Sequence, residues 1–181
     1  MSTIIFTDDY PHYLRNNNLI ISNTMIDALS HNEIEEILKK HFVGRIGCHT
    51  SDQVYVVPVS YAYDGKYVYV RSFEGKKMEI MRSNPKVCFE VDETQNMANW
   101  KSVIAWGEFE ELTDKTERNK ALKVLIDRHL PLLSSSTTHL GDIWPFPPED
   151  ISTIKGVVFR ILLKEKTGRF EKSQTSPSLT G

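Results

Sequence analysis

The stretch Arg71-Ser72-Phe73-Glu74-Gly75-Lys76-Lys77 combines residue types that could do chemistry at a useful spacing. A β-rich run ends at Ser72, a glycine-containing turn follows, and two lysines open what reads as a short helix over 75–83. Cations at a helix N-terminus oppose the macrodipole, so they are unfavourable there unless an anion joins them. A phosphate group would resolve the conflict. It would take N–H groups from the helix start, the Ser72 hydroxyl, and charge from Arg71, Lys76 and Lys77. The alternative is a solvated basic turn, a common surface feature.

Two neighbouring features could complete such a site. The run Val56-Val57-Pro58-Val59-Ser60-Tyr61 is rich in β-branched and aromatic residues. An extended strand of this kind can offer backbone N–H and C=O groups to a planar heterocycle. Pro58, with no N–H, marks an edge, a bulge or a place where the backbone faces a ligand. Plain barrel core would explain the same run. Further on, Trp100-Lys101-Ser102 opens another long strand, and the Ser102 hydroxyl could meet a ligand's polar edge.

Other chemistries find no support. The six histidines are dispersed, none at zinc-helix spacing, and there is no Cys-x-x-Cys. No Gly-x-Ser-x-Gly elbow, Gly-x-Gly-x-x-Gly turn or Walker loop occurs. The two cysteines, Cys48 and Cys88, each lie in an apolar segment and read as small buried hydrophobes. A formal net charge of −2 gives no general reason to seek nucleic acid or an anionic membrane. No apolar run approaches the roughly 20 residues of a membrane helix. The first residues lack a basic, then apolar, leader pattern, so a cytoplasmic protein is expected. The 181 residues, 40% of them hydrophobic, suffice for one domain with a real core.

The elements that must position these residues follow from periodicity. Residues 1–24 read as an N-terminal arm, 25–170 as the domain and 171–181 as a flexible tail. Ser30 and Glu33 have capping-box spacing and predict a helix that Gly44 ends. Strands are predicted over 45–49, 53–63 and 67–72, the last two joined at Asp64-Gly65, a hairpin signal. After the 75–83 helix, stopped by Asn84-Pro85, strands are predicted over 87–91 and 101–112, with 92–99 as a polar loop between them. Asp114 and Glu117 predict a third helix. Residues 130–153, proline-rich and including Trp144 and Phe146, read as a long loop before a last strand over 156–163. The sum is mainly β with helices: a six-stranded antiparallel barrel, closed because closure removes edges, with helices plugging its ends.

Taken together, Gly44-Arg45-Ile46-Gly47, Val56–Tyr61, Tyr63-Asp64-Gly65-Lys66, Ser72-x-x-Gly75-Lys76-Lys77 and Arg82-Ser83-Asn84-Pro85-Lys86-Val87-Cys88-Phe89 resemble a known family, and Trp100–Ile104 with Gly107 extends the match. The chain is similar, over about residues 29–170, to the pyridoxamine 5′-phosphate oxidase-like FMN-binding split barrels, in the branch of flavin-nucleotide-binding and nitroimidazole-resistance proteins. The resemblance implies a homodimer with FMN at the subunit interface. Val56, Val57, Pro58, Val59, Ser60 and Tyr61 would line the ring. Arg71 and Ser72 would sit at the ribityl-phosphate side, Lys76 and Lys77 would hold the phosphate, and Ser102 would approach from another strand.

The resemblance implies an oxidoreductase passing reducing equivalents from a nicotinamide donor to a small, nitroaromatic-type acceptor. No side chain stands out as catalytic. Position 71 is often histidine in the nitroimidazole-related branch and is arginine here. The C-terminal Trp/Arg segment of the true oxidase is not recognisable, which argues against turnover of pyridoxamine 5′-phosphate itself. Two alternatives stay open: a flavin-binding or sensing protein without turnover, and a split barrel holding haem or a deazaflavin, for which His12 and His139 are the only haem-ligand candidates.

Overall fold

The computed structural model describes residues 23–128 and 150–174. Its elements are β1 (Asn23–Ala28), α1 (His31–Lys40), β2 (Val43–His49), β3 (Val54–Tyr63), β4 (Tyr67–Ser72), α2 (Lys76–Ser83), β5 (Lys86–Asn96), β6 (Asn99–Glu111), α3 (Lys115–Asp127) and β7 (Val157–Gln174), with a 3-10 turn at Ile151–Thr153. Most of residues 1–24, the loop positions 129–149 with Trp144 and Phe146, and 175–181 lie outside the described residues, as do His12 and His139.

The expected helices form where capping chemistry starts them. The Ser30 hydroxyl accepts from the Glu33 N–H and the Glu33 carboxylate accepts from the Ser30 N–H, a complete capping box. The Asp114 carboxylate accepts from the N–H groups of Thr116 and Glu117 at the start of α3. α1 stops at Lys40, earlier than expected. The His41 N–H bonds back to Ile37 O, and Gly44 is already in β2. A Cβ at Gly44 would come within 2.9 Å of the Glu90 carbonyl oxygen, so this glycine serves close strand packing rather than helix termination.

All strand pairs are antiparallel, and the sheet runs β1-β7-β4-β3-β2-β5-β6 with an additional β6–β7 pairing. That pairing closes six strands into the expected barrel, and β1 is a seventh strand on its rim. β7 makes this possible by its length. Its first part pairs with β4 over Val157–Leu162, its last part with β1 over Arg169–Gln174, and β6 runs beside both.

Three strand limits differ from the sequence expectation. β5 continues through Asp92–Asn96 and β6 starts at Asn99, so the expected polar loop over 92–99 is mostly a tight hairpin. β7 extends past 163 to Gln174, and β1 occupies 23–28. These segments are polar because they pair on the rim, where no buried face imposes alternation.

Alternation is clear where the barrel has an inside. In β6, Val103, Ala105, Gly107 and Phe109 are buried while Ile104, Trp106, Glu108 and Glu110 are exposed. Ile34, Ile37 and Leu38 of α1 and Met78, Ile80 and Met81 of α2 join the barrel interior in one core, as end plugs. Tyr61 packs edge-on against Phe89 at 4.9 Å, and its hydroxyl donates to Leu38 O at 2.9 Å. α3 does not plug an end. Its Ala121, Leu122 and Leu125 pack with Ala62, Tyr69 and Val158 in a second cluster. That cover explains why Val68, Tyr69 and Val70 are buried in succession: β4 is covered on both faces.

Gly107 lies at a register shift between β6 and β7. A Cβ there would sit 2.7 Å from Ile161 Cγ2 and closer still to the Leu162 carbonyl oxygen. At Gly47 the nearest atom would be an ordinary 3.6 Å away. Gly107→Ala is therefore expected to destabilise by about 1–3 kcal/mol, and Gly47→Ala by much less, in equilibrium urea unfolding. Equal losses would contradict the packing described.

Candidate flavin-nucleotide site

The barrel is split between β3 and β4. β3 pairs with β2 from Val54 to Ser60, but with β4 only at Tyr61–Tyr63. Backbone groups of successive strand residues point to alternate edges. The Tyr61 N–H donates to Phe42 O at 3.0 Å, on the β2 side. Val57 and Val59 therefore also turn to β2, while Val56 and Pro58 turn to the open edge. Pro58, registered with Arg45, thus occupies a position where no ladder hydrogen bond is lost. The Ser60 hydroxyl, at the fork, is buried without a hydrogen-bond partner, the kind of orphan group that a bound polar edge would satisfy.

α2 starts beside the far end of this edge. Its N-cap is Gly75, at φ +152°, with no side-chain cap. α1 and α3 both carry side-chain caps, so α2 alone of the three leaves its first N–H groups without one. Met78 and Glu79 N–H groups bond back to Gly75 O, which leaves those of Lys76 and Lys77 pointing out of the helix start. The Lys76 ammonium lies 5.8 Å from the centroid of the Tyr55 ring on β3. Lys77 is half-buried, and burial lowers the pKa of its ammonium, with a small opposing effect of Cys48. Neither lysine has an ion-pair partner among the described residues.

Two nearby carboxylates, Glu74 and Glu111, are committed to Arg82, while Glu79 in the first turn of α2 is exposed and has no ion-pair partner among the described residues. Arg82 takes Glu74 through two 2.8 Å contacts and Glu111 through contacts of 2.7 and 3.0 Å. Two ammonium groups without ion pairs among the described residues, at the positive end of a helix without a side-chain cap, are the chemistry an anion would meet there.

Ser72 and Arg71 end β4, just before this turn. The Ser72 hydroxyl donates to Phe73 O at 3.2 Å. Arg71 stacks over Phe73 at 4.4 Å, and its Nε donates to Lys155 O at 2.9 Å. Burial, and then the charge of Arg118, lowers its pKa. Gly156 allows this closure, since a Cβ there would meet Ser72 O at 2.6 Å.

Of the expected residues, Arg71, Ser72, Lys76 and Lys77 follow one another from the end of β4 into α2 and Val56 and Pro58 turn to the open edge of β3, whereas Val57, Val59 and Tyr61 turn to β2, with Val59 and Tyr61 in the core. Ser102 does not join them within the chain. It lies on β6, with β5 and β2 intervening, and its hydroxyl is 3.4 Å from Glu90 Oε1. Glu90 and Asp92 together hold Arg45. Sequence reasoning missed Tyr55, the contact of Lys76, and the Arg45 cluster. A glycine where Ser, Thr, Asp or Asn would cap α2 was the legible sign of an open helix end.

This architecture defines an antiparallel split barrel with two lysines at the start of α2 beside the open β3 edge. The pattern of the pyridoxamine 5′-phosphate oxidase family matches residues 30–170, and the chain belongs to that family. An uncharacterized protein of Rhizobium meliloti is 30% identical over 148 residues, covering 80% of this chain and 94% of its own. The crystal structure of a FAD-binding protein from Mesorhizobium loti is 34% identical, with a TM-score of 0.62, covering 83% of this chain and 99% of that one. A candidate 5-nitroimidazole antibiotic resistance protein from Bacteroides thetaiotaomicron shares the fold at 17% identity, with a TM-score of 0.62 and coverage of 83% and 92%.

Because folding lowers the Lys77 pKa, the unfolded chain binds the proton more tightly. The cost of burying the charge is present at neutral pH and fades as pH rises towards the ordinary 10.5. Lys77→Met is expected to stabilise the ligand-free protein near pH 7, with the gap to wild type narrowing towards pH 10.5 in urea titrations. A gap that widens with pH would contradict the assignment.

Proposed function

We propose that this protein binds FMN along the β3 edge, at the interface of a homodimer, and acts as an oxidoreductase. The observation that carries the reading is the uncapped α2 N-terminus, with unpaired Lys76 and Lys77, beside an open strand edge. A flat ring with polar atoms on its rim suits that edge, and a terminal phosphate suits the helix. The FAD-binding relative supports a flavin nucleotide. FMN, when bound, supplies the redox chemistry, transferring reducing equivalents from a nicotinamide donor to a small acceptor such as a nitroaromatic.

The residues of this chain bind and orient. Lys76 and Lys77, with the first N–H groups of α2, hold the phosphate. Ser72 sits at the ribityl side, where Arg71 adds positive charge. Val56 and Pro58 present backbone groups to the ring edge, with a gap in donors at Pro58, and Ser60 follows at the fork. Val57, Val59 and Tyr61 fix the strand by packing and pairing on the β2 side. Among the described residues placed at this edge, none is a carboxylate or a histidine. That favours, as a second reading, a flavin carrier or sensor without turnover. Two free cysteines are in keeping with a reducing cytoplasmic setting, and no helix among the described residues is long and apolar enough to cross a membrane.

The dimer reading rests on the outer face. The register aligns Val56, Gly47, Cys88 and Trp106 in one row across β3, β2, β5 and β6. Val56 is 60% and Trp106 45% exposed, and Val54, Val43 and Ile104 extend the apolar surface. A second copy seated there would cover the row and bring its own Ser102 face to the flavin edge, giving Ser102 the role it lacks within one chain.

Purified protein should be yellow, or should bind added FMN; a colourless protein without affinity for FMN would overturn the reading. Robust reduction of the bound flavin by a nicotinamide, followed by turnover of an acceptor, decides for the oxidoreductase over the carrier. Lys76→Ala with Lys77→Ala is expected to weaken FMN binding by about 100-fold or more and riboflavin binding little, by fluorescence titration. Equal losses would contradict the phosphate contact. Trp106→Glu is expected to convert the dimer to monomer in sedimentation, with loss of flavin; a monomeric wild type would reject the dimer.

A further inference from the structure

The C-terminal end of α2 is tied to β2 through a side chain that can change charge. Asn84 is the C-cap of the helix, and its N–H donates to Ile80 O at 2.8 Å. Its side-chain amide reaches His49, the last residue of β2. Asn84 Nδ2 donates to His49 O at 3.2 Å and lies 3.0 Å from His49 Nε2. Asn84 Oδ1 accepts from the Lys86 N–H at 3.2 Å. On the other side of the ring, His49 Nδ1 lies 3.0 Å from Thr50 O.

These contacts leave the ring one protonation state. A carbonyl oxygen only accepts, so Nδ1 must carry the hydrogen that meets Thr50 O. The amide is fixed in its orientation, its oxygen by the Lys86 N–H and its nitrogen by His49 O. Its NH2 therefore points at Nε2, which must be the unprotonated, accepting nitrogen. His49 fits its surroundings only as the neutral Nδ1–H tautomer. A second proton would set an Nε2–H against an NH2, two donors 3.0 Å apart. Either the imidazolium withdraws, or the amide turns over and gives up both backbone partners. In each case the cap loses its tie to β2.

The charged groups around His49 do little to hold an imidazolium in place. β3 sets the uncharged Val54 opposite it. The turn after β2 carries Asp52, which accepts from the Thr50 hydroxyl at 2.8 Å. β5 begins with Lys86, a like charge. α2 brings Lys77, close to Cys48, and Arg82, which Glu74 and Glu111 hold. His49 itself has no ion pair among the described residues.

We propose that His49 is a pH-sensitive latch on α2: neutral, it ties the Asn84 cap to β2, and protonated, it releases the cap and the last turn of the helix. The release is local, because Met78, Ile80 and Met81 stay buried in the core. The other end of the same helix carries Lys76 and Lys77, so the latch governs the footing of that pair. It stands independently of the flavin reading.

The test uses the full chain, isotope-labelled and without added ligand. Ring nitrogen shifts near neutral pH are expected to show a proton on His49 Nδ1 and none on Nε2; the opposite tautomer would overturn the proposal. Amide hydrogen exchange, corrected for the intrinsic effect of pH, is then compared at about pH 7.5 and about pH 5, which bracket the ordinary histidine titration. The Arg82, Ser83 and Asn84 amides are expected to lose protection about threefold or more on acidification, as for the loss of one modest hydrogen bond, while those of α1 and α3 keep theirs. His49→Gln, whose side-chain oxygen accepts from the same NH2 and does not titrate, is expected to abolish the pH dependence. Should that variant fail to fold, the tautomer and the wild-type exchange decide alone. Unchanged protection in the wild type, an equal loss in α1 and α3, or the same loss in a folded His49→Gln would each overturn the latch.

Discussion

The rest of the molecule depends on one hydrogen-bonded ladder, between β6 and β7. β7 is 18 residues long and pairs with β6 from Val157's end of the barrel to its rim. Without that ladder the chain would be an open meander with two exposed edges. With it, the ring has two short ladders of three residue pairs each, between β2 and β5 and between β3 and β4, and the second leaves most of the β3 edge open. The opening is therefore a consequence of closure elsewhere: six strands share one ring, but β3 gives β4 only three paired residues. A cofactor site on a strand edge is costly to maintain in a flexible sheet, and here the edge is fixed by β2 behind it and by the Tyr61–Phe89–Leu38 cluster beneath it.

The electrostatics of the opening follow from which charges have been neutralised and which have not. Several cations among the described residues are held by carboxylates: Arg45 by Glu90 and Asp92, Arg82 by Glu74 and Glu111, Arg160 by Glu110 and Glu117, Lys166 by Glu35. The unpaired state of Lys76 and Lys77, which other described lysines such as Lys86 share, matters for its position. It coincides with the one helix that lacks a side-chain cap. Unsatisfied donors and unpaired cations then add at one place, which is why the proposed phosphate is assigned there despite a net negative chain.

Much of this was legible from the residues. The capping box at Ser30, the side-chain cap at Asp114, the hairpin at Asp64-Gly65, and the helix opened by Lys76 reflect local chemistry, and local chemistry is written in short windows. The edge role of Pro58 was also legible, because a missing N–H has few compatible positions. Rim strands were not. Asp92–Asn96 and Lys164–Gln174 alternate no apolar face against a core, so nothing but the partner strand makes them β. The covering of β4 by α3 was likewise illegible, since it requires knowing which outer wall a helix meets. Ser102 shows the limit for sites. Its neighbours in sequence mark a strand, but not that β2 and β5 separate it from β3 and that its hydroxyl lies against Glu90.

Pro58 has a consequence beyond ligand geometry. An unpaired strand edge rich in valine is a template on which another chain can grow a sheet, the first step of fibril formation. Val54, Val56 and Val57 would make such a template, and Val54 and Val56 are already solvent-exposed. A proline in mid-edge withholds one donor and obstructs a docking strand, so continuous pairing across the edge fails at that residue. The same ring that leaves backbone acceptors available to a small planar molecule keeps the newly made, ligand-free chain from recruiting its own copies edge to edge.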